Sequence, residues 1–172
     1  LNTGRLREIT ARVREEIRTL EIEIWEHAGT EFVIGSPQQL GHILFEKLGL
    51  SRKRRGKTGF STDARVLQAI RSEHEIIPKI ERFRELTKLV QTYLDALPAY
   101  IAADGRIHTT FLQVNAATGR LASINPNLQN IPIRTELGRE IRGCFEAEEG
   151  RVLTSADYSQ VELRILAHVA EE

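Results

Sequence analysis

The sequence has one cysteine and no long apolar run, and both absences exclude classes of protein. Cys144 has no second cysteine to pair with inside the chain, and no Cys/His spacing suggests a zinc site. No segment approaches the roughly 20 apolar residues that a membrane-spanning helix needs. The first residues are polar, and no apolar signal-peptide core follows them. Together these features predict a protein of a reducing cytoplasm.

Net charge is also absent, because 24 basic residues balance 24 acidic ones. The total therefore gives no indication of nucleic-acid binding, but the distribution does. A basic run with no acid in it could bind phosphates or form only a solvated loop tip. The run consists of Arg52, Lys53, Arg54, Arg55 and Lys57. None of the five histidines pairs with another at metal-ligand spacing.

Apolar residues recur at steps of three and four through most of the first 100 residues, which predicts amphipathic helices. Capping boxes are predicted at Ser36–Gln39 and at Ser72–Glu75. The predicted helices cover about residues 6–28, residues 36–48, a short helix capped by Ser61 or Thr62 and ending at Ile70, and residues 72–97.

The helical pattern stops at Pro98, and strand and loop patterns follow. We expect strands at 107–114 and 152–156, an ordered loop at 118–134, a short helix at 137–145, and a last helix opened by a capping box of Ser159 and Glu162. A helical part over residues 1–100 and a mixed part over 101–172 together predict an α+β fold.

Asp157 is the first candidate for chemistry, since a carboxylate at a strand end beside a helix N-terminus suits a hard cation such as Mg²⁺. Taken alone, Asp157 could equally cap the helix that follows it. Glu162 could likewise serve only its predicted capping box. Both alternatives stay open on spacing alone.

Longer motifs favour a chemical role over simple helix capping for Asp157 and Glu162. Residues 157–164 (DYSQVELR) resemble the first catalytic motif of the family A DNA polymerases, and 118–121 with 126–132 resemble the segment that precedes it. Residues 57–59 and 84–89 are similar to the thumb of that family. Several motifs in the right order form a more specific signal than one short pattern.

The resemblance implies a mostly helical thumb over residues 1–100, followed by the N-terminal part of a palm with an antiparallel sheet over 101–172. It implies a fragment of a DNA-directed DNA polymerase, which transfers a nucleotide from dNTP to a primer 3′-hydroxyl. The fingers and the motif with the second metal-binding carboxylate would belong to the remainder of the polymerase chain. We therefore expect the isolated chain not to polymerise. Whether the parent serves replication, repair or a phage stays open.

The resemblance also implies roles at the catalytic motif. Asp157 would bind two Mg²⁺ ions, and Tyr158 would offer its backbone carbonyl to one of them. Tyr158, Ser159, Gln160 and Glu162 would line the nucleotide pocket, where Glu162 would exclude a 2′-hydroxyl. Only half of the carboxylates of the two-ion site would lie in this chain.

A second set of residues would contact primer–template DNA. Arg120 would reach the minor groove near the primer terminus, where every base pair presents acceptors. The residues alone also allow simpler roles. Arg120 could form a surface ion pair, the asparagines could build turns, and the thumb residues could lie on a plain exposed helix face. The implied DNA contacts are Lys57, Thr58, Ser61, Arg84, Lys88, Arg120, Asn127, Gln129 and Asn130.

Two other classes of function are considered. One is a non-catalytic duplex-DNA-binding module, which would use the helical part for affinity only. The other is a P-loop phosphotransferase, because residues 51–58 read SRKRRGKT. That segment lacks the first glycine of a P-loop and follows a helix instead of a strand, so we disfavour it. Because the chain begins at Leu1 and stops inside a predicted helix, we expect it to be a piece of a longer protein.

Overall fold

A computed structural model describes residues 1–51, 55–56 and 59–171. Of residues 55, 56 and 59 it describes only the backbone. The predicted DNA contacts Lys57 and Thr58, the side chains of the basic run and most of the P-loop-like segment therefore lie outside the described residues.

The described residues form helices and two pairs of short antiparallel strands, which confirms the α+β fold class. The helical elements are α1 (Thr3–Ala28), α2 (Pro37–His42) with a π-helical turn (Ile43–Lys47), α3 (Ala64–Ala69), α4 (Ile76–Leu89) with a π-helical turn (Val90–Leu94), a 3₁₀ turn (Leu97–Tyr100), α5 (Glu136–Arg142) and α6 (Val161–Ala170). The strands are β1 (Arg55–Gly56), β2 (Gly59–Phe60), β3 (Thr110–Leu112) and β4 (Ala122–Ile124). No helix among the described residues has the length and apolarity to cross a membrane.

Helix α1 forms as its apolar periodicity predicts. The Asn2 side chain accepts a hydrogen bond from the Arg5 backbone N–H at the start, and Gly29 ends the helix in the left-handed conformation, with φ of 65°. Glycine adopts that conformation without the steric penalty that a Cβ would bring. The apolar stripe of α1 is buried at both ends and partly buried in the middle, at Ile17 and Leu20, so both hydrophobic clusters pack on this helix.

Helix α2 begins at the predicted cap. The Ser36 hydroxyl accepts a hydrogen bond from the Gln39 N–H, and Pro37 occupies the first turn. The reciprocal half of the capping box does not form, because the Gln39 side chain accepts instead from the Val33 N–H. The helix then widens into its π-helical turn, which ends at Lys47.

The predicted caps of the next two helices are wrong. Asp63, rather than Ser61 or Thr62, caps α3, since its carboxylate accepts from the Val66 N–H. The Ser61 hydroxyl donates to that same carboxylate and is therefore already engaged. Ser72 and Glu75 form no capping box on α4, where the His74 ring accepts from the Ile76 N–H instead. The predicted single helix to Leu97 is also divided into α4, a π-helical turn and a 3₁₀ turn.

Two hydrophobic clusters hold the described residues together. The first joins the C-terminal half of α1 to α2, α3 and the start of α4, with Ile24, Leu40 and Ile76 fully buried. The second joins the N-terminal half of α1 to the end of α4 and continues into the second part of the chain. The members of the second cluster beyond residue 100 are Ile131, Leu137, Ile141 and Cys144. The core is therefore continuous across residue 100.

Polar contacts also fix α5 to α1. The Asn2 backbone N–H donates to the Cys144 carbonyl at 2.8 Å, and the Arg5 guanidinium donates to the Gly143 carbonyl at 3.2 Å. One ion pair reinforces them, with Arg12 and Glu140 2.6 Å apart. The start of the chain thus holds the segment that leads to the candidate site.

The second part contains less sheet than predicted. Strands β3 and β4 pair antiparallel, with Thr110 opposite Ile124. Strand β4 lies within the predicted loop 118–134, and β3 is shorter than the predicted strand 107–114. The strand predicted at 152–156 is wrong, and these residues are exposed. A strand needs a neighbour for its backbone groups, and no strand of the described residues pairs with this segment.

Helix α6 carries an apolar stripe, yet none of its residues is buried. Its predicted capping box of Ser159 and Glu162 is wrong. The N-cap falls on Gln160, one residue later than predicted, and Gln160 makes no side-chain capping bond. The Glu162 carboxylate is engaged elsewhere, as described below.

Candidate functional site

The residues predicted for the catalytic motif lie on an exposed loop and on the first turn of α6. Asp157, Ser159 and Glu162 are exposed, and Tyr158 is 84% exposed. The Arg164 side chain donates to the Ser159 carbonyl at 3.0 Å, which ties the loop to the helix. The motif therefore presents its polar groups to solvent at the surface of the molecule.

Gln160 connects this loop to α6 through a left-handed backbone, with φ of 51° and ψ of 37°. This conformation costs a residue with a Cβ about 1 kcal/mol or more. Strained backbone of this kind concentrates at functional sites, where the surrounding structure holds it in place. Gln160 thus turns the chain so that Glu162 lies in the first turn of α6.

Arg120 and Glu162 are brought together although 42 positions separate them in sequence. The Arg120 Nη2 lies 2.8 Å from the Glu162 Oε1, and the two side chains are 71% and 74% exposed. The surface ion pair considered for Arg120 is therefore present, and its partner is the residue predicted to check the sugar. The residue predicted at the primer terminus and the residue predicted at the nucleotide thus lie side by side.

The loop that precedes α5 is built by the side chains predicted to contact DNA. Gln129 accepts from the Ser123 N–H at 3.2 Å and donates to the Leu121 carbonyl at 3.1 Å, so its amide runs along β4. Asn127 accepts from the Gln129 N–H at 3.0 Å, which is the turn-building role left open for it. Each of these two side chains has a partner within the chain.

The backbone of Asn130 is held as well. The buried Tyr93 donates its hydroxyl hydrogen bond to the Asn130 carbonyl, and burial raises the pKa of Tyr93. Because Tyr93 follows α4, this bond joins the helical part of the molecule to the loop beside β4. It fixes the position of Asn130 and leaves the amide side chain exposed.

A second group of predicted DNA contacts meets at one depression of about 580 Å³, between the start of α2, β2 and α4. Ser61, Arg84 and Lys88 all line it, together with Phe60 and Thr62. Lys57 and Thr58, predicted for the same surface, lie outside the described residues. The structure therefore brings together the members of this group that it describes.

Arg84 and Lys88 differ within that depression. The Arg84 guanidinium donates to both the carbonyl and the hydroxyl of Thr62, which is itself buried. Burial lowers the pKa of Arg84 from its ordinary value. Lys88, one turn later, is exposed. Arg84 therefore stabilises the wall of the depression, whereas Lys88 is open to a ligand.

The described residues contain no group of three histidine, cysteine, aspartate or glutamate side chains that could hold a metal ion. Asp157 supplies one carboxylate, which is a donor type that Mg²⁺ accepts. One carboxylate fits half of a two-ion site and no more.

Comparisons with known proteins identify the family of the chain. The family model described as DNA polymerase family A matches residues 3–172. The chain is 51% identical over 173 residues to the thermostable DNA polymerase I of Thermus aquaticus, covering 99% of this chain and 21% of that protein. It is 55% identical over 156 residues to DNA polymerase I of Deinococcus radiodurans, covering 89% of this chain and 16% of that protein.

Among solved structures, the POL domain of Pol1 from M. smegmatis, in complex with DNA primer-template and dNTP, matches with a TM-score of 0.86 and 41% identity. That match covers 99% of this chain and 30% of the solved one. The chain belongs to DNA polymerase family A. It spans roughly a fifth of the length of its curated relatives.

Proposed function

We propose that this chain is part of a DNA-directed DNA polymerase, with residues 1–100 as thumb and 101–172 as the N-terminal part of the palm. In the proposed reaction, a primer 3′-hydroxyl attacks the α-phosphate of a dNTP and pyrophosphate leaves. The observation that carries the proposal is the match of nearly the whole chain to a domain solved with primer-template and dNTP. The exposure of residues 157–162 supports it, because a substrate can reach them.

At the catalytic motif, Asp157 and the Tyr158 carbonyl would hold Mg²⁺ as part of a two-ion site. Bound Mg²⁺ would activate the attacking hydroxyl and neutralise charge on the leaving oxygen. The other carboxylates must come from outside the described residues, since these supply no three-residue metal group. We therefore assign Asp157 as the catalytic carboxylate of this chain and expect no polymerisation by the chain alone.

The nucleotide would lie against Tyr158, Ser159, Gln160 and Glu162. A carboxylate packed against the C2′ carbon of the sugar leaves no room for a further oxygen, so Glu162 would select deoxynucleotides. Its place in the first turn of α6 supports this role, because the helix fixes the direction in which the side chain leaves the backbone.

Primer–template DNA would contact two surfaces. At the depression, Lys88 would bind a backbone phosphate, joined by Lys57 and Thr58 of the basic loop. Ser61 would bind a phosphate by turning its hydroxyl away from the Asp63 carboxylate, to which it donates in this structure. Arg84 contributes by holding Thr62, as its two hydrogen bonds support. Each phosphate that a cation neutralises releases counterions, so binding should weaken steeply with salt.

At the loop beside β4, Arg120 and the exposed side chain of Asn130 would contact the end of the primer. The side chains of Asn127 and Gln129 are exposed but already bonded within the chain. We therefore propose that these two act on DNA mainly by fixing the loop that carries the contacts.

The exposed apolar stripe of α6 would be covered by another part of the polymerase domain. A helix with apolar residues on much of its surface normally lies inside a core. Here Leu163, Leu166 and Val169 are 61%, 62% and 72% exposed. The chain corresponds to only 30% of the solved POL domain, which leaves ample further polypeptide in that protein to cover such a helix.

Fluorescence anisotropy tests the proposal. The chain is titrated against a labelled primer–template junction and against an equal-length single strand, at two salt concentrations. We expect tighter binding to the junction, weakening with salt and a smaller salt slope when Arg52 to Arg55 are replaced by glutamine. Arg18→Gln, on the exposed face of α1, is a single-charge control and should leave the slope unchanged.

Three outcomes would count against the proposal. A folded, monomeric chain that binds neither DNA at low salt would contradict it. Equal binding of the junction and the single strand would instead indicate an electrostatic surface without primer recognition. In a further titration with a blunt duplex of equal length, equal affinity for the duplex and the junction would favour the non-catalytic duplex-binding module.

A further inference from the structure

We propose that Glu162 is a positioning residue for Arg120, so that the residue at the nucleotide sugar also prepares recognition of the primer terminus. The inference rests on the proposed function and deepens it. The observation behind it is the 2.8 Å contact between Arg120 Nη2 and Glu162 Oε1, which joins the loop before β4 to the first turn of α6. The family resemblance gives each residue a separate task.

The pairing leaves Arg120 free to bind. A guanidinium has five N–H donors, and the contact with Glu162 uses one of them. The Arg120 side chain remains 71% exposed, so its other donors face solvent. A minor-groove acceptor requires only one or two donors. Arg120 can therefore hold Glu162 and a base edge at the same time.

The pairing also reduces the entropy cost of binding. A free arginine side chain samples many rotamers, and ordering it on binding opposes association. Glu162 lies on a helix and restricts that sampling before DNA arrives. The gain in DNA affinity is limited because the pair is exposed, and an exposed ion pair changes an equilibrium by about fivefold at most.

The same contact links two sites. If a nucleotide sugar displaces or reorients the Glu162 carboxylate, the Arg120 guanidinium loses or changes its support. Junction affinity and nucleotide occupancy should therefore influence each other through this pair. A residue that only excluded a 2′-hydroxyl would have no such effect on DNA binding.

The test measures junction preference, defined as the ratio of affinities for a primer–template junction and a blunt duplex of equal length. Removing any negative charge should strengthen binding to both DNAs, so the ratio isolates the positioning effect. We expect Glu162→Ala to lower the ratio about twofold to fivefold. Glu162→Gln, which keeps an acceptor oxygen at the same position, should restore part of it. Glu171→Ala, which removes a negative charge at the opposite end of α6, should leave the ratio unchanged.

A double-mutant cycle with Arg120→Ala completes the test. We expect Glu162→Ala to have no further effect on the ratio once Arg120 is absent. Additive effects, or an unchanged ratio in Glu162→Ala while Arg120→Ala abolishes the preference, would overturn the inference and leave the proposed function intact. A wild-type chain without junction preference would overturn both.

A DNA-free measurement separates positioning from loss of folding. In the ¹⁵N-labelled chain, the Arg120 side-chain N–H resonance should move in Glu162→Ala and stay close to its wild-type position in Glu171→Ala. Backbone resonances of β4 should remain in place in both variants. An Arg120 resonance that does not respond to Glu162→Ala would contradict the pairing itself.

Discussion

Helices α1 and α6 both carry an apolar stripe, but their surroundings differ. In α1, Leu6, Val13 and Ile24 are at most 2% exposed, because α4 and α5 pack against them. In α6, Leu163 and Leu166 are 61% and 62% exposed. The periodicity of a stripe identifies the residues that favour burial, but it does not identify what covers them. Other described residues bury the apolar stripe of α1, whereas none of the described residues buries the stripe of α6.

The difference separates two kinds of contribution to the molecule. The helical region and α5 supply the free energy of folding and hold the loops in place. The segment from residue 151 to α6 supplies exposed groups, including those of the candidate catalytic motif. Substitutions in the first region should therefore change stability, whereas substitutions in the second should change binding.

The largest expected effect contrasts one leucine from each region. Leu86→Ala removes a fully buried side chain between α4 and α1, and we expect it to lower the free energy of unfolding by about 2–5 kcal/mol. Leu166→Ala on α6 should change it by less than about 0.5 kcal/mol. Urea unfolding followed by circular dichroism measures both. Similar losses for the two variants would mean that α6 is covered in solution, for example by a second copy.

A glycine in α5 gives the next largest effect. A Cβ at Gly138 would lie 2.6 Å from the Pro132 carbonyl oxygen, a contact that only a backbone shift can relieve. Gly138→Ala should therefore cost about 1–3 kcal/mol. Gly41→Ala is the control, since its Cβ would meet Phe60 at an ordinary 3.6 Å. Thermal unfolding of both variants checks the expectation, and a neutral Gly138→Ala would show that α5 is not held tightly against the loop.

Two residues that line the depression beside α4 should also differ in this way: Arg84 should affect stability, and Lys88 should affect DNA binding. Arg84→Ala removes hydrogen bonds from a charged group to the buried Thr62, and we expect a loss of about 1.5 kcal/mol in stability. Lys88→Ala should leave stability unchanged and weaken DNA binding at low salt. Combined unfolding and anisotropy measurements test this split. A Lys88→Ala chain with unaltered DNA affinity would remove Lys88 from the proposed interface.

The smallest effect concerns acid stability in the turn around Asp104, which follows the 3₁₀ turn and lies before β3. The Arg106 backbone N–H and the His108 ring hydrogen-bond the Asp104 carboxylate and lower its pKa below 3.8. A lowered folded-state pKa stabilises the fold above pH 3.8, and this contribution is lost as the pH falls through the folded-state pKa. Asp104→Asn should therefore have a lower melting temperature than the wild type at pH 6, and the difference should shrink toward pH 2. A gap that stays constant between these values would contradict the assignment.

Local patterns predicted local structure best. The extent of α1, its end at Gly29 and the Ser36 cap follow from neighbours a few residues apart, and the structure confirms them. The predicted cap of α3 was wrong because Ser61, Thr62 and Asp63 can all accept a backbone hydrogen bond. Their order does not show that Ser61 donates to Asp63.

Contacts between distant residues left little signal in the sequence. Strand β4 was missed because three residues with a polar loop around them look like a turn, and the pairing with β3 decides the outcome. The Arg120–Glu162 pair spans 42 positions, so no local pattern predicts it. The family resemblance assigned tasks to both residues, but their proximity appears only in the fold.

A chimera tests the proposed function most directly. This chain replaces its matching segment in the Thermus aquaticus DNA polymerase I, and primer extension is measured with and without template. We predict template-dependent extension that Asp157→Asn abolishes, while Asp157→Asn still binds the primer–template junction. Template-dependent extension that persists in Asp157→Asn would contradict the assignment of Asp157 to polymerase chemistry.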